Sequence, residues 1–250
     1  MLINTILKLE SAIEKLRYCD PLITKYVTFH LVYPADIPAD ISERTVLEDL
    51  SCDELDAEIE MLPVFDKDQI VYPHNVLRNV ARSAVYTEFF LLIDVDLLPS
   101  SGLRKNFVNF VTKNEKWDDH EDSQVYIVPA FEMASNQEMP KSKADLTDLY
   151  SKKQLRAFHT DTCENCHKPE KFEKWSSLPE GDLAVGFEAE WSEHWEPFYF
   201  ARRNIPMYDE RYKEHLFDRI QQICELYIAG FKDGFRRFKI YRYSIKFKTG

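Results

Sequence analysis

Residues 71–99, VYPHNVLRNVARSAVYTEFFLLIDVDLLP, decide how this chain is read. The stretch predicts a short helix and then a buried strand that runs into Asp94-Val95-Asp96. In the helical half Val76, Leu77, Val80, Ala81 and Ala84 share one face, and Asn75, Arg78, Asn79 and Arg82 share the opposite one. Phe89-Phe90-Leu91-Leu92-Ile93 is short, apolar and aromatic, the composition of a strand buried on both faces. Two carboxylates two positions apart at a strand end point the same way, and such a pair suits a hard divalent cation. With an Arg/Asn face nearby, the site suits an anionic ligand bridged by metal, a nucleotide diphosphate above all. Acidic residues also end strands as turn formers or caps, and a polar helix face is ordinarily a solvated surface. What lifts this triplet above that background is its setting: the apolar strand before it, Pro99-Ser100 after it and the polar helix face ahead.

Composition narrows the classes. A chain of 250 residues with 44% hydrophobic content can build one domain with a substantial core. A formal net charge of -11 argues against nucleic acid or anionic membrane surfaces as main partners. Six glycines are few, and neither GxGxxG nor GxxxxGK[ST] occurs, which disfavours dinucleotide and P-loop readings. The longest unbroken apolar run is 5 residues, too short to span a membrane. Ile6, Leu9, Ile13 and Leu16 are spaced as an amphipathic helix with charges between them, unlike a signal peptide. No N-x-[ST] sequon is present.

Along the chain, helices are expected near 2–18, 43–60, 74–86, 101–113, 142–150 and 216–229, and strands near 26–33, 88–94, 124–130, 184–191 and 197–201. Pro34 to Ile41 and Met133 to Lys143 read as loops, and Cys163 to Asp182 as a polar excursion. Strand–helix alternation of this kind predicts a layered α/β domain with a mainly parallel central sheet.

YPHNVLRNVAR followed by FFLLIDVDLLPSSGL resembles the core of the family 49 glycosyltransferases. Further blocks recur in the family's order: VYIVPAFEM at 125–133, MPKSKADLTDLY at 139–150, CENCHKPEKFEKW at 163–175, WEPFYFARRNIPMYDERY at 195–212 and RIQQICELYIAGF at 219–231. The likeness runs from about residue 26 to 231, and the CxxC block and WEPFY place it nearer the single-domain glucuronyltransferase branch. The resemblance implies a GT-A-like fold, a single domain over 1–231, and a divergent basic tail over 232–250. It also implies Golgi residence. By the family pattern the fold is expected to be incomplete at both ends. Residues 1–18 match a helix that follows the first nucleotide-binding strand, so the uridine cradle is missing. The chain after AGF reads KDGFRRFKIYRYSIKFKTG, with no histidine beyond His215 to act as third metal ligand. IYRYSIKFK alternates like an edge strand.

In the chemistry that the resemblance implies, a UDP-sugar donor, UDP-glucuronate, binds at the strand end. Asp96 ligates Mn2+, Asp94 contacts the metal or the ribose, and Asn75 and Arg78 lie along the nucleotide or pyrophosphate. The acceptor is a xylose-ended glycan on a glycoprotein. Inverting transfer needs a carboxylate to take the proton of the attacking hydroxyl, and Glu196 and Asp209 are the candidates. Glu196 sits between Trp195 and Phe198, where burial can raise its pKa. Pairing with Arg202 or Arg203 is the ordinary alternative for Glu196, and a helix cap before Glu210-Arg211 for Asp209. The competing functional reading is an inactive family member that keeps the fold but binds neither UDP nor metal. Phosphatases of the haloacid dehalogenase type also carry DxD after an apolar strand. They expect a Thr shortly after the second Asp, where this chain has Leu97-Leu98-Pro99.

Five cysteines are spread as Cys19, Cys52, Cys163, Cys166 and Cys224. Cys163-Glu-Asn-Cys166-His167 matches a haem attachment pattern literally, could supply part of a zinc set with His159 or His167, or could close a local disulfide. Cys224 falls in an apolar helix pattern and reads as core, and Trp175 and Trp191 as packing residues.

Overall fold

The computed structural model describes residues 2–33, 52, 71–118, 124–134, 137–163, 166–167, 172–213, 217–230, 238–241 and 245–249. The chain divides into two units, Met1–Tyr72 and Pro73–Gly250. In the first, α1 (Leu2–Cys19) is followed directly by α2 (Pro21–Tyr26). Asp20 starts α2: its carboxylate accepts the Leu22 N–H at 2.8 Å, and Pro21 supplies the φ of a first helical turn. Cys19 is joined to Cys52. The strand expected over 26–33 does not form. Tyr26 closes α2, and residues 27–33 adopt neither helix nor strand. An apolar β-branched run becomes a strand only where a sheet edge receives it, and Val27, Phe29, Leu31 and Tyr33 are exposed here. The expected helix 43–60 and loop 34–41 lie outside the described residues, Cys52 apart.

The second unit runs α3 (His74–Ser83), β1 (Phe89–Leu91), β2 (Leu97–Pro99), α4 (Leu103–Lys113), β3 (Tyr126–Val128), β4 (Ala130–Ala134), α5 (Lys143–Ser151), β5 (Leu155–Ala157), α6 (Phe172–Ser176), β6 (Val185–Ala189), β7 (Phe198–Arg202), α7 (Asp218–Gly230), β8 (Phe238–Tyr241) and β9 (Ile245–Thr249). Its strands form a sheet of order β1-β7-β3-β8-β6 and a second of order β2-β9-β4-β5. The expected mainly parallel sheet is not what these strands make. Only β3–β8 and β4–β9 are parallel, while β7 lies antiparallel between β1 and β3. Pro129 is one reason: it has no N–H for a ladder, so the run expected as one strand over 124–130 splits into β3 and β4 in different sheets. The basic tail corrects a second expectation. Its strands β8 and β9 lie inside the two sheets rather than at an edge.

Alternation along β3 and β7 sets the layers. Val125, Ile127, Tyr199 and Ala201 enter one core with Leu146 of α5 and Ile223 and Leu226 of α7. Tyr126, Val128, Phe198 and Phe200 enter another with Leu103, Phe107, Phe110 and Val111 of α4. The five-stranded sheet is thus covered on both faces, as its continuous apolar strands require. Phe107 stacks on Phe200 with ring centroids 3.8 Å apart, which fixes α4 across the sheet. α5 begins with a full capping box, Ser142 and Asp145 bonding each other's backbone N–H.

Candidate active site

The polar face of α3 is its buried face. Asn75, Asn79 and Arg82 are buried, whereas Ala81 is exposed and Val76, Leu77 and Val80 are only partly covered. The reason lies in the partner, the irregular chain between β7 and α7, whose backbone groups have no sheet or helix to satisfy them. Asn75 Nδ2 donates to the carbonyls of Asp209 (2.9 Å) and Asp218 (3.1 Å). Asn79 donates to Tyr208 O and accepts the Tyr208 N–H, closing a two-way clasp at 2.8 and 2.9 Å. Arg82 reaches the carbonyls of Pro206 and Ile205 at 2.6 and 2.8 Å. Arg78 Nη1 donates to Asn75 Oδ1 at 2.8 Å and to the Asp218 carboxylate at 2.5 Å. An amide and guanidinium ladder at helical spacing therefore pins residues 203–210 and the start of α7 to α3.

Asp94 and Asp96 occupy a turn, not a continuing strand. β1 ends at Leu91, and Leu97 N–H closes the turn onto Asp94 O at 3.1 Å. Val95 stands free at the tip and Asp96 is exposed. Asp94 is held from behind by Arg219, whose Nη2 lies 2.5 Å from its Oδ1. Arg219, on the first turn of α7, is buried, and its guanidinium lies 4.5 Å from the Phe198 ring centroid.

Glu196 precedes β7 and is pinned by the loop that Cys163–Cys166 closes as a disulfide. Its N–H donates to Cys166 O at 2.6 Å, and its carboxylate lies 3.6 Å from His167 Nε2. Of the two arginines expected as its alternative partners, Arg202 or Arg203, Arg202 is otherwise engaged, pairing with Glu88. Burial pushes the Glu196 carboxyl up to about 7, against the pull of Arg219 and Arg78 and with the help of Asp218 and Asp94. The structure thus gathers Glu196, Asp94, Arg78, Asp218 and Arg219 into one electrostatic neighbourhood. Burial, with Arg219 and His159 nearby, holds His167 down at about 3, so it is neutral. His167 stacks on Phe198 at 5.4 Å, and its buried Nδ1 has no hydrogen-bond partner among the described residues. The disulfide consumes both thiols, which removes the haem and zinc alternatives.

Asp209 stands on the other side of the α3 ladder. Arg211 grips its carboxylate and its backbone N–H closes an Asx turn onto it, holding the carboxyl down to about 2. Among the described residues no three His, Cys, Asp or Glu side chains cluster as a metal set. Two carboxylates on one turn still fit a hard cation that brings phosphate oxygens and water as its other ligands.

Arg219 and Asp218 were not among the expected site residues, and His167 was expected only as part of a candidate zinc set. Arg219 had a readable signal: Arg219, Gln222, Ile223 and Leu226 fall at helical spacing on the buried face of α7, so a charge stood on an apolar stripe. His167 had its place after CENC, which suggested metal or haem ligation and not a neutral neighbour of Glu196.

A family model described as "Glycosyl-transferase for dystroglycan" matches residues 4–235. The chain is 35% identical over 225 residues to beta-1,4-glucuronyltransferase 1 of Danio rerio, covering 85% of this chain and 51% of that protein. It is 37% identical over 182 residues to the Mus musculus protein of the same name, covering 70% of this chain and 42% of the other. It is 32% identical over 160 residues to xylosyl- and glucuronyltransferase LARGE1 of Mus musculus, 62% of this chain and 20% of that protein. The chain spans about half the length of the beta-1,4-glucuronyltransferases it matches. With the match running over almost all of its length, the chain belongs to the glycosyltransferase family described as acting for dystroglycan.

Proposed function

We propose that this chain is a metal-dependent inverting glycosyltransferase with a GT-A-type donor site, transferring glucuronic acid from UDP-glucuronate to a xylose-ended glycan on a glycoprotein in the Golgi lumen. One observation carries the reading most of the way: a half-buried carboxyl raised to about 7, Glu196, held beside His167 and the charge cluster of Asp94 and Arg219. Donor, linkage and acceptor are inferred from the names of its relatives, two of them beta-1,4-glucuronyltransferases and one a xylosyl- and glucuronyltransferase. No helix among the described residues is long and apolar enough to cross a membrane.

Asp94 and Asp96 would hold the Mn2+ ion, and the chemistry it would supply there is to offset charge building on the leaving diphosphate. Arg78, oriented by Asn75, adds positive charge on the same side. Glu196 takes the proton from the acceptor hydroxyl as that oxygen attacks, and its carboxyl, half ionised near neutrality, is matched to that task. Asp209, locked to Arg211 and ionised throughout, positions the 206–212 loop instead of moving a proton.

The test is transfer of glucuronate from UDP-glucuronate to an aryl β-xyloside with Mn2+ present. Glu196→Gln is expected to lose roughly 10²–10⁴ of the rate while keeping its affinity for UDP. Asp96→Asn is expected to lose affinity for both metal and donor. A folded wild-type chain that neither transfers sugar nor binds UDP refutes the reading and leaves an inactive family member.

A further inference from the structure

Arg219 is placed where a ligand anion would be expected to meet a protein cation, yet a carboxylate of the chain fills that place. The Arg219 side chain is 5% exposed and Asp94, its partner at 2.5 Å, is 41% exposed, so the carboxylate stands between a buried guanidinium and solvent. Arg78 pairs with Asp218 at 2.5 Å, but there the carboxylate is the more buried partner, 7% exposed against 12%. A buried guanidinium stays charged and is costly without an anion against it, and Asp94 is the chief one acting on Arg219. Asp94 is also one of the two carboxylates assigned above to the cation. One carboxylate cannot serve a guanidinium and a dication at full strength, because each lowers the negative charge the other meets. A donor bound at the turn would remove the conflict. It brings anionic oxygens of its own, and a planar guanidinium fork matches phosphate or carboxylate in two-point contact.

Resting on the glycosyltransferase reading, we propose that Arg219 is a donor-binding residue held in reserve by Asp94. The cation draws Asp94 off Arg219, and the freed guanidinium turns to an anionic group of the donor, its diphosphate or its hexuronate carboxylate. Metal and donor binding are then coupled through a single exchange of ion-pair partners. The ion alone has to compete with Arg219 for Asp94, whereas ion and donor together leave every charge paired.

Calorimetry on the 250-residue chain tests this, with Mn2+ alone and then with UDP, UDP-glucose and UDP-glucuronate in the presence of Mn2+. Arg219→Met is expected to bind Mn2+ alone about tenfold more tightly, because Asp94 is released, and to bind UDP-glucuronate with Mn2+ at least about tenfold more weakly. These opposite signs are the signature, since a structural arginine would weaken both together. If UDP, UDP-glucose and UDP-glucuronate lose alike, Arg219 meets the diphosphate. If the loss is confined to UDP-glucuronate, it meets the hexuronate carboxylate. Arg219→Lys keeps the charge beside Asp94 without the fork, and carries the test if the Met variant does not fold. It is expected to leave Mn2+ affinity within about twofold while weakening the donor roughly three- to tenfold. Parallel losses of metal and donor, or no change in either, overturn the proposal while the glycosyltransferase reading stands. A folded wild type that binds no UDP with Mn2+ overturns both.

Discussion

At the scale of single residues, Glu196 and His167 make an opposed pair, and their opposition has a measurable sign. Glu196 is raised from an ordinary 4.5 to about 7, and His167 is lowered from an ordinary 6.5 to about 3. Transfer should therefore rise with pH through about 7 as the Glu196 carboxylate forms, and Glu196→Gln should abolish that limb. Stability follows by linkage. The folded chain binds the Glu196 proton more tightly than the unfolded chain, so that contribution falls as pH rises from 4.5 to about 7. The folded chain binds the His167 proton less tightly, so that contribution falls as pH drops from 6.5 to about 3. Between 4.5 and 6.5 the two slopes cancel, and stability is lost only outside that window, below it through His167 and from 6.5 to about 7 through Glu196. Glu196→Gln removes one slope, so its urea midpoint should begin to fall already below pH 6.5. A variant whose pH–stability curve keeps the wild-type shape would show that the two groups are not coupled through burial. Glu196 was legible because a carboxylate between aromatic residues is an anomaly in any sequence. Asp209 looked equally good there, and only its contact with Arg211, two residues along, separates them.

Elements carry the next lesson. α3 was readable as a helix to within a few residues, but which of its two faces is the packed one was not. Periodicity finds two faces; which one is covered depends on the partner, and here the partner is irregular backbone that needs donors. Asn79→Ala strips the clasp on Tyr208 and should cost about 1–3 kcal/mol in urea unfolding, since it leaves buried backbone groups unsatisfied. Val80→Ala on the opposite, partly covered face should cost about 1 kcal/mol or less. Equal losses at the two positions would deny that the polar stripe is the packed one. The Cys163–Cys166 loop makes a second prediction at this scale. It presents Cys166 O to Glu196 N–H, so Cys163→Ser with Cys166→Ser should lower transfer about tenfold or more through a misplaced Glu196, while UDP affinity holds. A proportional loss of UDP affinity would place the disulfide's effect on the fold at large.

Across the whole molecule, α4, α5, α7 and the strands near 185–189 and 198–202 were legible because each carries its own period and its own stop signals. Sheet order and direction were not, because strand pairing is chosen by partners far away in sequence. Pro129 and the interior places of β8 and β9 are facts of that kind. The site shows the same division. Ordered blocks from YPHNVLRNVAR to RIQQICELYIAGF carried the family, which the match over residues 4–235 bears out. The ion pair of Asp94 with Arg219, 125 positions apart, lay beyond any local pattern. The central claim is that the Asp94–Asp96 turn is a metal-dependent site for a nucleotide diphosphate. UDP titrated calorimetrically into the folded chain, with and without Mn2+ and in wild type and Asp96→Asn, tests it most directly. Binding that requires Mn2+ and weakens about tenfold or more in Asp96→Asn is the predicted result. Binding indifferent to Mn2+ and to Asp96, or no binding by a chain that unfolds cooperatively, would contradict it.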